Sequence, residues 1–245
     1  MTDVVLAAHR VTRRFGPEQA LAGVDVAVRR GEVVALVGLN GAGKTTLMRL
    51  LLGMLRPDTG RTELFGRPTA EVDGATWGRV GHLIEHPARY DELTVEEILY
   101  TSARLQGCSR PESRRLATAA VDQLELGHWR RRRTGTLSLG NRQRLGVAAA
   151  LVHQPEVLVL DEPANSLDPL GVVRVRELLR AAAAERQAAV LVSSHHLDEV
   201  ARMADRVVVL HAGRVLGELE PGGRDLERAF FARVLEADRT AMGTS

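Results

Sequence analysis

Residues 32–46 read EVVALVGLNGAGKTT, and LMRLLLGML follows at 47–55. The run 32–37 is apolar almost throughout, which is how a strand buried on both faces reads. The stretch that follows fits the pattern G-x-x-x-x-G-K-[ST] from Gly38 through Gly43, Lys44 and Thr45. An apolar helix then ends near Gly53. Strand, glycine-rich turn and helix make the βα unit of a parallel sheet, so an α/β fold is expected. Glycines let successive backbone N–H groups converge on an anion, and the helix that follows adds its positive dipole end. Lys44 is placed to reach the β/γ-phosphates of a nucleotide, and the Thr45 hydroxyl suits Mg²⁺. The expected nucleotide contacts are Gly38, Asn40, Gly41, Ala42, Gly43, Lys44, Thr45 and Thr46. Each charge-assisted hydrogen bond in such a loop is worth roughly 1.5–3 kcal/mol.

Composition narrows the remaining classes. The chain has 245 residues, 44% hydrophobic and 26% charged, which is an ordinary globular balance. Formal net charge is +2, too balanced for a dedicated nucleic-acid binder, and 3% aromatics weakens a reading in which successive nucleic-acid bases are stacked, so no nucleic-acid partner is expected. Cys108 is the only cysteine, which leaves no internal disulfide and no cysteine metal cluster; it reads as an inert thiol. The start MTDVVLAAHR has no signal-peptide pattern, and no run approaches the roughly 18 apolar residues of a membrane span. A cytoplasmic location is expected, with any membrane role acting through a partner. Lys44 is the only lysine among 33 basic residues, so the one compact ammonium of the chain falls inside the loop motif.

Along the rest of the chain, strands are expected at 4–11 and 20–28, split by a turn at Gly16 and Pro17. The segments 94–106 and 111–126 carry helical spacing, with a Thr94/Glu97 capping box and Pro111 suited to a first turn. Residues 86–145 therefore read as a helical insertion. The α/β rhythm returns with a strand at 157–160, a helix at 169–186, a strand at 188–192, a helix at 195–203 and a strand at 206–210. After the break at 221–223, residues 226–235 are expected to form a short amphipathic helix within a packing tail at 221–245.

VLVLDEP at 157–163 puts Asp161 at the end of a buried strand, where a carboxylate sits beside Mg²⁺ at the C-terminal sheet edge. The adjacent Glu162 is placed to polarise an attacking water. Two motifs define no more than a P-loop ATPase or GTPase. The third, LSLGNRQRL at 137–145, resembles the LSGGQ-type signature of the ATP-binding-cassette (ABC) family; Ser138 lies 94 residues after Lys44 and 23 before Asp161, as it does there. A hydroxyl (Ser138), a bare backbone (Gly140) and a helix N-terminus make an anion clamp with no phosphate in its own subunit.

That resemblance covers roughly residues 3–217 and implies a RecA-like core at 3–85 and 146–220, with an N-terminal antiparallel β portion and the inserted helical lobe. It implies that Phe15 stacks on adenine. Thr45, Asp161 and Glu85 would hold Mg²⁺, and Glu162, His195 and Glu85 would serve catalysis. Leu137, Ser138, Leu139, Gly140 and Asn141 would act in trans. Asn165 and Asp168 would belong to a loop crossing a dimer interface. The chain departs from the family at Glu85 (usually Gln), Leu139 (Gly) and Asn141 (Gln). A carboxylate at 85 would add negative charge beside the γ-phosphate. LIEHPARYDELTVEEIL (83–99), LSLGNRQRLGVAAAL (137–151), NSLDPLG (165–171) and SSHHLDEV (193–200) are similar to the ATPases of bacitracin- and lantibiotic-type export and drug efflux. The resemblance thus implies ATP and Mg²⁺ as ligands, a homodimer or paired cassette, and a separate polytopic transmembrane permease, with the chain peripheral on the inner face of the cell membrane. A non-transport cassette acting on nucleic acid or ribosomes is the alternative; such chains usually carry two cassettes or a long coiled coil.

Two further features read as non-functional. His82, Glu85 and His86 match H-x-x-E-H, a zinc pattern that requires a helix, whereas GRVGHLIEHP reads as a strand running into Pro87. Arg130 to Arg133 read as a solvated face, the functional reading being attraction of nucleotide, anionic lipid or a membrane partner.

Overall fold

Five residues, Val33 to Val37, are buried without exception, and the alternation of their side chains explains how. Val33, Ala35 and Val37 join a core beneath a layer of helices, while Val34 and Leu36 join a second core on the opposite face. A strand covered on both sides has no polar face to show, hence its unbroken apolar reading.

The computed structural model describes residues 3–84, 90–222 and 225–243. In chain order the elements are β1 (Val4–Phe15), β2 (Glu18–Arg29), β3 (Val33–Val37), α1 (Lys44–Leu51), β4 (Thr59–Leu64), β5 (Arg67–Pro68), α2 (Gly74–Trp77), β6 (Val80–Leu83), α3 (Val95–Leu105), α4 (Arg110–Gln123), α5 (Leu139–Leu151), β7 (Val157–Leu160), α6 (Pro169–Arg186), β8 (Ala189–Ser194), α7 (Leu197–Met203), β9 (Arg206–His211), β10 (Arg214–Leu219) and α8 (Leu226–Gly243). They build two sheets. An antiparallel sheet has the order β2-β1-β4-β5, and a six-stranded sheet the order β10-β9-β3-β8-β7-β6, parallel from β9 to β6. The second core lies between the sheets and takes in Leu47, Met48, Leu50 and Leu51 of α1.

Caps set the helix starts. The Thr94 hydroxyl accepts from the Glu97 N–H at 3.3 Å while the Glu97 carboxylate accepts from the Thr94 N–H at 2.8 Å, the expected reciprocal box. Ser109, Ser138 and Asp168 cap α4, α5 and α6. Each such cap is worth about 1 kcal/mol.

Several elements depart from the sequence reading. The strands β4, β5 and β10 were not expected. In β4 only Thr62 and Leu64 are buried, which leaves too weak an apolar alternation to read. Helix α7 begins at Leu197 and not at 195, because His195 precedes an extended His196 (φ −95°, ψ 93°) at the end of β8. Helix α8 runs beyond 235 to Gly243, and its Leu226, Phe230 and Val234 are buried in the helix-side core. The Arg130–Arg133 run is largely the solvated face it reads as, with residues 131–133 exposed, but it is also tied to its neighbours. Arg130 pairs with Glu96 on α3 and donates to the Thr118 hydroxyl at 3.2 Å, and the Arg133 backbone bridges to Thr94.

Candidate functional site

Parallel register brings three strand ends to one edge: Val37 pairs with Ser194, and Leu160 with Val192. The loop 38–43, the acidic pair 161–162 and His195 leave the sheet together there. Gly43 has φ +106°, and a Cβ on it would stand 2.6 Å from the Ala20 carbonyl and 2.8 Å from Leu21 Cδ2. Only glycine closes the loop against β2 at that point. The Lys44 ammonium is buried and donates to the Gly38 carbonyl at 2.7 Å and the Leu39 carbonyl at 3.4 Å.

The acidic pair is held by its neighbours. Thr45 Oγ1 donates to Asp161 Oδ2 at 2.6 Å, and the Ser193 hydroxyl donates to Asp161 Oδ1. The Ser193 hydroxyl in turn accepts from the Glu162 N–H at 2.9 Å. Glu162 adopts φ +48°, an unfavourable conformation for a residue with a side chain. It is pinned from both ends, since Gln143 Nε2 on α5 donates to the Glu162 carbonyl at 3.0 Å and the Pro163 carbonyl at 3.2 Å. The result aims the Glu162 carboxylate at His195, whose Nδ1 lies 2.8 Å from Oε2.

A cleft of about 330 Å³ runs over this edge, lined by Phe15, Glu18 and Ala20, by residues 40–46, and by Asp161 and Glu162. One aromatic ring therefore stands in the same cleft as the glycine-rich loop. Phe15 is 42% exposed at the tip of the β1–β2 hairpin.

The segment 137–141 is not among the residues lining that cleft. Ser138 and Leu139 are exposed at the start of α5, where Ser138 Oγ accepts from the Asn141 N–H at 3.3 Å. A Cβ on Gly140 would come 2.8 Å from the Ser166 carbonyl, so this helix start and the loop 165–168 pack directly. Arg144 pairs with Asp168 at 2.6 Å; that guanidinium first, then the Gly171 N–H, holds the Asp168 carboxyl below the usual range.

The structure thus joins Lys44, Thr45, Asp161, Glu162 and His195 at one edge and places 137–141 with 165–168 on another surface. Glu85 and His86 lie outside the described residues, while His82 lies in β6. Ser193 and Gln143, which tie the acidic pair in place, were not singled out from the sequence. Their roles depend on contacts made across strands and between α5 and the loop after β7.

A glycine-rich loop, an acidic strand end and a flanking histidine on a parallel sheet define a P-loop nucleotide hydrolase. The chain belongs to the ABC transporter family, whose profile it matches over residues 21–165. It is 35% identical over 217 residues to the bacitracin transport ATP-binding protein BcrA of Bacillus licheniformis, a match spanning 89% of this chain and 70% of that protein. It is 32% identical over 232 residues to the lantibiotic transport ATP-binding protein SrtF of Streptococcus pyogenes, spanning 94% of this chain and 98% of that one. A solved ATP-binding subunit of an ABC transporter superposes with a TM-score of 0.82 at 30% identity, covering 94% of each chain. The expectation of an ABC ATPase, with its α/β fold, is borne out.

Proposed function

We propose that this chain binds and hydrolyses ATP as the motor subunit of an exporter of antibiotic peptides or drugs, working on a separate polytopic permease at the inner face of the cell membrane. The hydrogen-bonded series Thr45–Asp161–Ser193–Glu162–His195 beside the Lys44 loop carries the reading. Lys44 and the N–H groups of residues 40–46 would bind the β/γ-phosphates. Thr45 and Asp161 present hard oxygen donors side by side, a set that fits Mg²⁺, which when bound would neutralise phosphate charge. Glu162 would orient and accept a proton from the attacking water, with His195 holding its carboxylate in place and lying near the γ-phosphate. Phe15 would stack on the base.

The exposed N-terminus of α5, with the Ser138 hydroxyl and the bare Gly140 backbone, would complete the pocket of a second copy or a sibling cassette. ATP binding would close that dimer and hydrolysis reopen it. No helix among the described residues is long and apolar enough to cross a membrane, so the translocation path would belong to the permease. The names of BcrA and SrtF support peptide antibiotics as the exported class.

Affinity purification of the tagged chain from its native membranes, with ATPase turnover of the captured material, tests the proposal. A co-purifying polytopic membrane protein and ATP-dependent pairing are expected. Capture of ribosomes or DNA without a membrane protein, or full-speed hydrolysis by an isolated monomer, overturns it.

A further inference from the structure

Phe15 is an exposed ring at the tip of a hairpin whose turn is only Gly16 and Pro17. Such a ring is free to sample rotamers unless something holds it. Arg13 supplies that hold. Two residues back along β1 it lies on the same strand face, and its guanidinium carbon sits 4.9 Å from the Phe15 ring centroid. The guanidinium is itself fixed. Its Nη1 donates to Asp58 Oδ1 at 2.9 Å and to the Arg56 carbonyl at 3.2 Å. Asp58 Oδ2 also accepts from the Arg14 N–H at 2.7 Å, and the Asp58 N–H donates to the Thr12 carbonyl at 2.9 Å, so one carboxylate ties the hairpin arm and the arginine to the loop before β4. Phe15 is among the residues lining the cleft and Arg13 is not, so the guanidinium contacts the ring without itself lining the cleft.

We infer that Arg13 is a positioning residue for the nucleotide base: it presets the Phe15 ring so that an incoming purine meets a platform already in place, with the Asp58 carboxylate holding the guanidinium and the guanidinium holding the ring. This rests on the reading of Phe15 as the base platform. The physical gain is preorganisation. A ring ordered before binding loses no rotamer freedom when the base arrives, whereas a free one does. The planar, always-charged guanidinium suits the task, being able to bind a carboxylate along its edge while stacking by its face.

The consequence is selective. Arg13 should matter for a ligand that has a base and not for the phosphate chain alone. Affinities of the full chain for ATP and for inorganic triphosphate, each with Mg²⁺, separate the two. For Arg13→Ala, ATP binding is expected to weaken about threefold to tenfold, with triphosphate binding unchanged. In steady state KM for ATP rises and kcat at saturation does not fall. Phe15→Ala should show the same selectivity, at least as strongly. If Phe15→Ala weakens ATP and Arg13→Ala does not, the role of Arg13 is overturned while the platform survives. If neither changes ATP relative to triphosphate, the platform itself fails and the inference with it. Should Arg13→Ala lose both ligands together, Arg13→Met decides by the same ratio, since it keeps the apolar stem and drops only the charged plane. Equal loss of both ligands there makes Arg13 a plain structural residue and overturns the inference.

Discussion

His195 Nδ1 lies 2.8 Å from Glu162 Oε2, and the backbone of Glu162 is fixed through Ser193, which also bonds Asp161. Glu162, proposed as the base, His195, proposed to orient it, and Asp161, proposed to face the metal, therefore form one hydrogen-bonded unit and not three independent groups. Groups coupled this closely give non-additive losses when removed.

Glu162→Gln keeps the shape of the site and removes the proton acceptor. Hydrolysis is expected to fall by about 10²–10⁴-fold, with ATP binding retained and an ATP-stabilised dimer accumulating. Adding His195→Ala should then cost little more, because the histidine acts on the same carboxylate. Steady-state turnover of the single and double variants measures this. A double loss equal to the product of the single losses would show that the two act separately.

Ser138→Arg addresses the surface on which the helix start of α5 stands exposed. The substitution removes the cap on Asn141 N–H, costing about 0.5–2 kcal/mol, and puts a bulky cation where a partner's phosphates would meet a hydroxyl. Since residues 137–141 do not line the cleft, nucleotide affinity of the monomer should be unchanged. Sedimentation with ATP in the Glu162→Gln background should show monomer only. A dimer of normal stability there removes Ser138 from the interface.

What could be read in the chain before the fold was known follows a physical division. The loop 38–46, the strand VLVLDEP and the capped helices carry their reasons in adjacent residues, as Thr94 with Glu97 does. Gln143 and Ser193 do not, because each acts on a carbonyl, N–H or carboxylate brought close only by folding. The β4 strand is hidden for another reason. Arg61 and Glu63 pair with each other on its surface, so its composition reads as a loop. Helix α8 reads short because Val234 is its last buried position among the described side chains, while Glu236, Asp238, Arg239 and Thr240 make the turns beyond it largely polar. Among them Asp238 reaches back to His211 at 2.7 Å.

Gly43→Ala tests how tightly the loop is closed. At φ +106° a methyl group is both conformationally strained and driven against the Ala20 carbonyl and Leu21. The strain alone is worth about 1–3 kcal/mol. A melting temperature lower by about 2–12 °C is expected, with ATP affinity reduced at the same time because the loop N–H groups no longer converge. Thermal unfolding with and without ATP reads both effects. An unchanged melting point would mean that β2 yields to the added carbon.

Glu156 links the two sheets away from the site. Its carboxylate accepts from Arg79 Nε at 2.6 Å and Nη2 at 2.9 Å, and from Arg30 Nη1 at 2.9 Å, while the Arg79 guanidinium stacks 4.0 Å from the Phe65 ring centroid. The hydrogen bond from Arg79 foremost, with Arg30 adding to it, pulls the Glu156 carboxyl from 4.5 down to about 2. A carboxyl lowered by folding contributes stability above its unfolded value and loses it as the pH falls through the folded one. The side chain is 37% exposed, so solvent screens the cluster and Glu156→Gln should cost only about 1 kcal/mol at neutral pH. The gap between wild type and variant should narrow as the pH drops from about 4.5 towards 2, because wild type then becomes protonated as well. Urea unfolding of both proteins at pH 7 and pH 3 measures it, and a gap of equal size at the two pH values would show that the arginines do not hold this carboxylate in solution.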